Sequence, residues 1–356
     1  MVIPSSLHSP FDRWAVYAHK DDTGFGRQAS DVRSVLGFGH HLVIPSERLV
    51  DHPIDGIREV LLPADAPDTL VRSRLSDLDG ILFFERHAWH PNILRIAREL
   101  GVLTVCVPNW EWFNRSAPEW KFCDLFACPS RFTEKLLRSF GFTNTCYLPW
   151  PLDLRKLPSR HIEGPARHFI HNAGLVDRDD RKGTRDTIAA FTRIRNPNIR
   201  LTVRLQKPAT LPPIDDRIEV IVSNLGSVSD LYETGDICVQ PSKMEGIGFM
   251  VLEPACAGIP VITTNYPPMN EYIQQKQLLC RTRLLKRKAY ATQWIRQAHL
   301  KPPSISDLSA RMIWAANNNL SSISLQHRHW AELTFNRSTL LSAWTRALLE
   351  QNIHTS

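Results

Sequence analysis

The sequence predicts an α/β protein made of two consecutive parallel-sheet domains, and three observations support this. Short apolar runs alternate with helical patterns, as in a parallel sheet that helices cover on both faces. A segment rich in proline and charge, residues 149–167, interrupts the alternation, which then restarts. The length of 356 residues also exceeds the usual size of a single hydrophobic core.

The first domain is predicted over residues 1–154, followed by a linker over residues 155–167. Its strands are expected at residues 14–19, 41–45, 80–85, 103–108, 124–130 and 144–150. Helices are expected from the loop after the first strand through about Phe38, over PNILRIARELG with Pro91 in the first turn, and over RFTEKLLRSFG.

The second domain is predicted over residues 168–335, and residues 336–356 are expected to form a C-terminal helix that packs back on the first domain. Strands are expected at residues 167–174, 199–205, 218–223, 236–242 and 259–264, and helices over KGTRDTIAAFTRI, 304–319 and 338–352. A further helix should begin near Phe249 and end at Gly258, with Pro254 in its first turn. Two such domains in series are expected to face each other across a cleft at the carboxyl ends of their strands.

Composition excludes several classes of protein. Hydrophobic residues make up 43% and charged residues 22%, which excludes a disordered chain and a disulfide-dense small domain. No apolar run approaches the roughly 18 residues of a spanning helix, and the start lacks the apolar stretch of a secretory signal. Seven cysteines without CxxC spacing favour buried free thiols, no zinc site and a cytoplasmic location. The 43 Lys and Arg residues against 36 Asp and Glu residues give a net charge of +7, which favours an anionic ligand, acceptor or surface.

The most specific stretch is PSKMEGIGFMVLEPACAGIPVITTN, residues 241–265. Two carboxylates, Glu245 and Glu253, lie eight positions apart, and Gly246 and Gly248 follow the first of them. Glycines at a strand-to-helix turn let backbone N–H groups approach a ligand closely, and a helix N-terminus favours an anionic phosphate. The alternative is an ordinary strand–loop–helix unit with two surface acids.

This stretch resembles the large glycosyltransferase superfamily of the two-Rossmann (GT-B) type, and within it the retaining family 4, whose hallmark is Glu-x7-Glu. The matching residues are Pro241, Ser242, Glu245, Gly246, Gly248, Glu253, Gly258 and Pro260. The resemblance implies an enzyme that moves a sugar with retention from a nucleotide sugar, a UDP-sugar in preference to a GDP-sugar, to a hydroxyl acceptor. It also implies no permanently bound cofactor and no required metal.

The resemblance assigns donor contacts by position. Glu245 would contact the donor sugar and Glu253 would hold the ribose hydroxyls, because each carboxylate accepts two hydrogen bonds from sugar O–H groups. The backbone that follows Glu245 would contact the donor as well, at Gly246, Ile247, Gly248 and Phe249.

A second stretch, NAGLVDRDDRKGTRDTIAAF, matches the family at Lys182-Gly183. In the family an Arg and a Lys clamp the donor diphosphate, and fixed cations stabilise the charge that develops on this leaving group. Leu175 stands where the family commonly has the Arg, so Arg178 or Arg181 is expected to replace it. The alternative is a solvated, charged helix start.

In the first domain, Gly24 and Gly26 follow the first strand, and the resemblance places this loop beside the acceptor and the donor phosphates. The alternative is an ordinary strand-to-helix turn. The family histidine beyond the strand LTVCV is absent, which leaves Asn109 and Glu111 as candidates for that region. Another strand end offers Glu85, His87 and His90. The candidate catalytic residues are Lys182, Glu245, Glu111 and His87, and the alternative for Glu111 and His87 is a structural or surface role.

The stretch from Tyr272 to Ser306 contains no acidic residue. Within it, CRTRLLKRKAYATQWIRQAHLK carries the basic residues Arg281, Arg283, Lys286, Arg287, Lys288, Arg296 and Lys301, with Tyr290 and Trp294 among them. Such a segment suits a nucleic-acid backbone, an anionic membrane surface or a solvated helix face. Four tryptophans near the expected cleft could stack on a sugar or base, or pack in the core: Trp89, Trp110, Trp112 and Trp120.

The acceptor therefore has several candidates. One is a hydroxymethylated pyrimidine base in DNA, flipped into the cleft while cations hold the phosphates. The others are a cell-surface glycan and a lipid at an anionic membrane. A non-catalytic subunit that binds a sugar nucleotide is a further alternative, supported by the departures at Leu175 and Asn109. The oligomeric state has no signal in the sequence.

Overall fold

A computed structural model describes residues 9–21, 24–46, 57–85, 89–223, 227–283, 288–289 and 299–350. The chain divides into two units by its internal contacts. Unit 1 comprises Met1–Asp153 together with Phe335–Ser356, and unit 2 comprises Leu154–Thr334.

Unit 1 is built on a parallel sheet. Its strands are β1 (Trp14–His19), β2 (His40–Ile44), β3 (Arg58–Leu61), β4 (Gly80–Phe84), β5 (Leu103–Val107), β6 (Leu125–Cys128) and β7 (Thr145–Tyr147). The strand order is β3-β2-β1-β4-β5-β6-β7, and every neighbouring pair is parallel. The order reverses direction between β1 and β4, which is where open α/β sheets commonly bind ligands.

The helices of unit 1 connect these strands. They are α1 (Gly24–Asp31), continued by a π-helical segment (Val32–Leu36), α2 (Asp68–Leu75), α3 (Ile93–Glu99) and α4 (Arg131–Ser139), with 3₁₀ turns at Trp110–Trp112 and Pro118–Phe122. The prediction that Pro91 lies in the first turn of a helix is wrong, because α3 begins at Ile93. The ring Nδ1 of His90 accepts a hydrogen bond from the Asn92 amide at 3.2 Å, which holds the preceding residues in a turn.

Aromatic residues form much of the core of unit 1. Trp120 is buried and stacks on Phe113, with ring centroids 5.0 Å apart. Trp89 packs edge-on against Phe83 at 4.2 Å, and Trp110 packs against Phe132 at 5.2 Å. For Trp89, Trp110 and Trp120, packing is therefore the alternative that is observed, whereas Trp112 is half-buried.

Unit 2 contains a second parallel sheet. Its strands are β8 (His168–Gly174), β9 (Arg200–Leu205), β10 (Ile218–Val222), β11 (Ile237–Gln240), β12 (Val261–Thr264) and β13 (Leu279–Cys280). Their order is β10-β9-β8-β11-β12-β13, with parallel pairing throughout. A short antiparallel pair, β14 (Lys288–Ala289) and β15 (His299–Leu300), lies outside this sheet. The predicted fold class, α/β with two Rossmann-like sheets, is confirmed.

The helices of unit 2 are α5 (Thr184–Phe191), α6 (Phe249–Cys256), α7 (Met269–Tyr272), α8 (Ile305–Asn317) and α9 (Ser321–Thr334). The prediction that Pro254 lies in the first turn of α6 is wrong, because it is the sixth residue of that helix. Proline lacks the N–H that would bond to the carbonyl of Met250. The Cys238 thiol lies 3.9 Å from that carbonyl oxygen and donates to it.

The last described helix, α10 (Arg337–Thr345), continues as a π-helical segment over Arg346–Glu350 and belongs to unit 1. The Asn336 side chain caps its start by accepting from the Ser338 and Thr339 amides. Arg337 Nε donates to the Val35 carbonyl at 3.1 Å. The buried Trp344 donates through Nε1 to the Pro149 carbonyl at 3.1 Å, so α10 packs on the other elements of unit 1.

All seven cysteines are free thiols, and all but Cys146 are buried, as the composition predicts. Within the described ranges, none of the helices combines the length and the apolar composition that a membrane crossing requires.

We expect Trp344→Ala to destabilise unit 1 by about 3–5 kcal/mol, because it leaves a cavity and removes the hydrogen bond to Pro149. Urea unfolding measures the change. The control is Leu333→Ala, whose side chain is 62% exposed, with an expected change of about 0.5 kcal/mol or less. Equal destabilisation by the two substitutions would contradict the packing of α10.

Candidate functional site

The candidate site of unit 2 lies at the carboxyl ends of β8 and β11, which are neighbours in the sheet. One loop runs from β8 to α5 and another from β11 to α6. Each helix begins directly after a glycine in the left-handed region, Gly183 with φ of 74° and Gly248 with φ of 82°. The two loops touch, since a Cβ on Gly183 would lie 2.6 Å from the Pro241 carbonyl oxygen. Glycine is therefore required there, and both helix N-termini open at one edge of the sheet.

Glu245 is the centre of this site. It is only 5% exposed, and its two oxygens bind different cations. Oε2 accepts from Arg181 Nη1 at 2.8 Å, and Oε1 accepts from Lys182 Nζ at 2.6 Å. Arg181 Nη1 also donates to the Met244 carbonyl at 3.1 Å. Two consecutive cations of the first loop thus converge on one carboxylate of the second.

The charge of Glu245 is strongly favoured despite its burial. Burial acts to raise its pKa, but Arg181 and Lys182, helped by a hydrogen bond from Ser242, outweigh burial and lower the pKa to about 2. The carboxylate is consequently ionised throughout the ordinary pH range. Arg178, the other candidate for the phosphate-binding Arg, is exposed, and its carbonyl accepts from Arg185 Nη1 at 3.4 Å.

Glu253 lies on α6 and is fully buried. Its Oε2 accepts from the Tyr232 hydroxyl at 2.7 Å, and Tyr232 is itself buried. The backbone around the first carboxylate is similarly fixed, since the Ile247 carbonyl accepts from the Tyr272 hydroxyl at 2.7 Å. Gly246 and Gly248 are buried, and Phe249 is half-buried at the start of α6. Neither tyrosine is marked as a site residue by the local sequence pattern around it, so neither was predicted.

In unit 1, α1 begins at Gly24, includes Gly26 in its first turn, and is the next element of the chain after β1. A Cβ on Gly26 would lie 1.9 Å from the Asp21 carbonyl oxygen, so close backbone packing alone requires glycine there.

Two buried carboxyl groups lie at the carboxyl ends of β4 and β5. Glu85 is 2% exposed and Glu111 is 6% exposed. Glu85 has a left-handed φ of 49°, and its Oε1 has no hydrogen-bond partner among the described residues. Burial and the charge of Glu111 raise the pKa of Glu85 well above its usual value, although Asn109 donates a hydrogen bond to it.

His87 lies outside the described residues, and His90 Nε2 lies 2.8 Å from the Ala66 carbonyl.

The described part of the basic segment is tied to acidic residues of unit 2. Arg281 Nε pairs with Asp307 at 3.2 Å, and Arg283 Nη2 pairs with Asp186 at 2.5 Å. The ammonium of Lys301 lies 5.8 Å from the ring of Tyr266. The side chains of Lys286, Arg287, Lys288 and Arg296 lie outside the described part of the structure, which includes only the backbone of Lys288.

The fold is that of GT-B glycosyltransferases, as three solved structures show. A glycosyltransferase from Rickettsia africae ESF-5 has a TM-score of 0.68 at 11% identity, covering 96% of this chain and 98% of that one. Sucrose-phosphate synthase from Thermosynechococcus elongatus has a TM-score of 0.63 at 14% identity, with 96% and 99% covered. The lipopolysaccharide outer core galactosyltransferase WaaB has a TM-score of 0.63 at 11% identity, with 95% and 99% covered.

The family match identifies the activity. Residues 176–328 match the family model of glycosyl transferases group 1. This segment spans both loops of the candidate site, so the chain carries a glycosyltransferase group 1 domain and is a glycosyltransferase. The resemblance to GT-B glycosyltransferases is thereby confirmed. No curated protein sequence matches the chain significantly.

We expect Glu245→Gln to remove a pH-dependent part of the stability. The folded pKa of about 2 lies below the usual value, so this contribution is complete above about pH 4.5 and is lost as the pH falls towards 2. Its size is on the order of 3 kcal/mol. Urea unfolding at several pH values between about 6 and 3 measures the free energy of unfolding. As the pH falls over this range, that free energy should decrease less for the variant than for the wild type. The control is the exposed Glu332→Gln, whose free energy of unfolding should follow the pH dependence of the wild type. The same pH dependence in Glu245→Gln would contradict the two ion pairs.

Proposed function

We propose that the chain transfers a sugar from a nucleotide sugar to a hydroxyl acceptor, with retention of configuration. The observation that carries the proposal is the convergence of Arg181 and Lys182 on Glu245, beside the N-termini of α5 and α6. Backbone N–H groups and the dipole at such termini favour a phosphate group. Two fixed cations at the same place suit a diphosphate better than a single phosphate.

The chemistry follows from charge. Breaking the bond between the sugar and the diphosphate leaves negative charge on the diphosphate, and Arg181 and Lys182 would stabilise it. Glu245 holds both cations before the donor binds, so they are oriented in advance. With the nucleotide sugar bound, the Glu245 carboxylate would accept hydrogen bonds from hydroxyls of the sugar. The backbone amides after Glu245 would donate hydrogen bonds to the sugar. The resemblance to retaining family 4 supports retention, with the departing diphosphate helping to deprotonate the acceptor.

Glu253 would bind the ribose of the donor. Tyr232 orients its carboxylate through a 2.7 Å hydrogen bond, and ordered carboxylate oxygens suit vicinal hydroxyls. We favour a UDP-sugar over a GDP-sugar and propose that no metal is required, both on the family resemblance. A cytoplasmic location is supported by the free thiols.

We expect Lys182→Ala and Glu245→Ala each to lower turnover of the donor by about 100-fold or more, because each removes a group that acts on the leaving diphosphate or the sugar. Hydrolysis and transfer assays with UDP- and GDP-sugars measure the effect. The control is Lys207→Ala, an exposed lysine of the same unit that should retain wild-type turnover. Wild-type activity in both site variants would overturn the assignment.

The acceptor has two candidates. A hydroxymethylated pyrimidine in DNA is supported by the net charge of +7 and by the basic stretch without acids. Against this, Asp307 and Asp186 already neutralise Arg281 and Arg283. A surface glycan or lipid acceptor is supported by the name of WaaB, a galactosyltransferase of the lipopolysaccharide outer core, whose fold this chain shares.

If DNA is the acceptor, affinity for duplex DNA should fall steeply with salt, because each neutralised phosphate releases counterions. Filter binding or fluorescence anisotropy from about 50 to 200 mM salt measures the slope, and hydroxymethylated duplexes then serve in the transfer assay. No measurable DNA binding at low salt would overturn the DNA acceptor. Binding to anionic vesicles under the same conditions would favour a lipid acceptor instead.

A further inference from the structure

We propose that Lys243 is a positioning residue of the donor site, which holds the loop between β8 and α5 so that Arg181 and Lys182 face the donor diphosphate. The proposal rests on the proposed nucleotide-sugar donor. Lys243 lies between two residues that contact or flank the site, Ser242 and Met244, but its own side chain points to a different set of partners.

The ammonium group of Lys243 is buried against the other loop. The residue is 9% exposed, and Nζ contacts three oxygens. These are Asp186 Oδ2 at 3.0 Å, Asp180 Oδ2 at 3.3 Å and the Asp179 carbonyl at 3.2 Å. Both carboxylates are themselves buried, Asp180 at 3% and Asp186 at 7% exposure. A lysine with such partners is fixed in one conformation rather than mobile at the surface.

Asp180 transmits this constraint to the loop. Its Oδ1 accepts from the Thr184 amide at 2.8 Å and its Oδ2 from the Arg185 amide at 3.1 Å, which caps the N-terminus of α5. Its φ of 51° lies in the left-handed region, which an aspartate adopts at a cost. Burial raises the pKa of Asp180, and Lys243 is the largest opposing influence. Lys243 therefore favours the charged form that caps the helix.

The backbone of Lys243 reaches the cationic pair directly. Its amide donates to the Arg181 carbonyl at 2.8 Å, so the peptide that precedes Lys182 is tied to the loop that carries Glu245. No regular helix or strand covers the residues between Gly174 and Thr184, so side-chain and backbone hydrogen bonds such as these hold the loop in place. Lys243 thus holds this loop at two points. Its side chain binds Asp179 and Asp180, and its backbone amide binds the Arg181 carbonyl.

The same network anchors the basic segment. Asp186 binds Lys243 through Oδ2 and Arg283 through Oδ1, and the Lys301 amide donates to the Lys243 carbonyl at 2.9 Å. Two cations, Lys243 and Arg283, balance the two buried carboxylates. Two residues of the basic segment, Arg283 and Lys301, therefore meet at the network of Lys243, which also orders the loop between β8 and α5.

The test compares the affinity for UDP with that for UMP, which lacks the second phosphate. Arg181 and Lys182 would act on the diphosphate, whereas binding of the base and ribose does not depend on them. We expect Lys243→Met to weaken UDP binding by about tenfold and UMP binding by less than about twofold. Lys243→Arg, which keeps the charge, should restore most of the UDP affinity. Calorimetric titration gives both affinities, and GDP and GMP are titrated in parallel.

The control is Arg217→Gln, which breaks a 2.7 Å ion pair with Asp215 just before β10, at the opposite edge of the same sheet. It should lower the thermal unfolding midpoint without changing the ratio of UDP to UMP affinity. If Lys243 had only a structural role, Lys243→Met would also lower the unfolding midpoint and leave the ratio of UDP to UMP affinity unchanged. That result would overturn the proposal.

Lys243→Met leaves two buried carboxylates without their lysine, so a milder variant accompanies it. Asp186→Asn keeps Lys243 and its contact with Asp180, and we expect it to lower UDP affinity about threefold with little effect on UMP. An unchanged UDP to UMP ratio in this variant would also count against the positioning role. Wild-type protein that binds neither UDP nor GDP would instead overturn the proposed donor itself.

Discussion

A buried carboxylate held between two consecutive cations is the interaction on which the candidate site depends. Glu245 keeps its charge at 5% exposure only because Arg181 and Lys182 each bind one of its oxygens. Removing one partner would leave a desolvated charge, which is far more costly than the pair is favourable. The two loops at the carboxyl ends of β8 and β11 are therefore locked together by electrostatics as well as by packing.

Backbone geometry makes this pairing possible. Two helices, α5 and α6, each begin directly after a left-handed glycine, and the loops that lead into them follow the neighbouring strands β8 and β11. The left-handed Asp180 caps one of them, and Lys243 neutralises that cap. The positive helix ends, the two cations and the buried acid form a site in which opposite charges are already arranged before any ligand arrives.

Unit 1 has a contrasting electrostatic feature. Glu85 and Glu111 are both buried at the carboxyl ends of neighbouring strands, and among the described residues no cation of the kind that accompanies Glu245 lowers the pKa of Glu85. Burial thus raises the pKa of Glu85, whereas two cations lower the pKa of Glu245. This difference depends on the groups around each acid and not on the acids themselves.

The sequence by itself determined the fold class, the positions of most strands, the stretch that carries Glu245 and Glu253, and the separate stretch that carries Lys182. These follow from local signals, namely apolar runs, glycines at strand ends and residue spacing. It missed β3, whose residues are half-buried or exposed at a sheet edge, because such a strand lacks a continuous apolar run. Only the tertiary structure decided that Arg181 meets Glu245, that Lys243 turns to Asp180 and Asp186, and that Trp89 and Trp120 pack in the core. Those outcomes depend on which side chains meet across distant segments, and a buried charge or ring is fixed by its neighbours in space rather than along the chain.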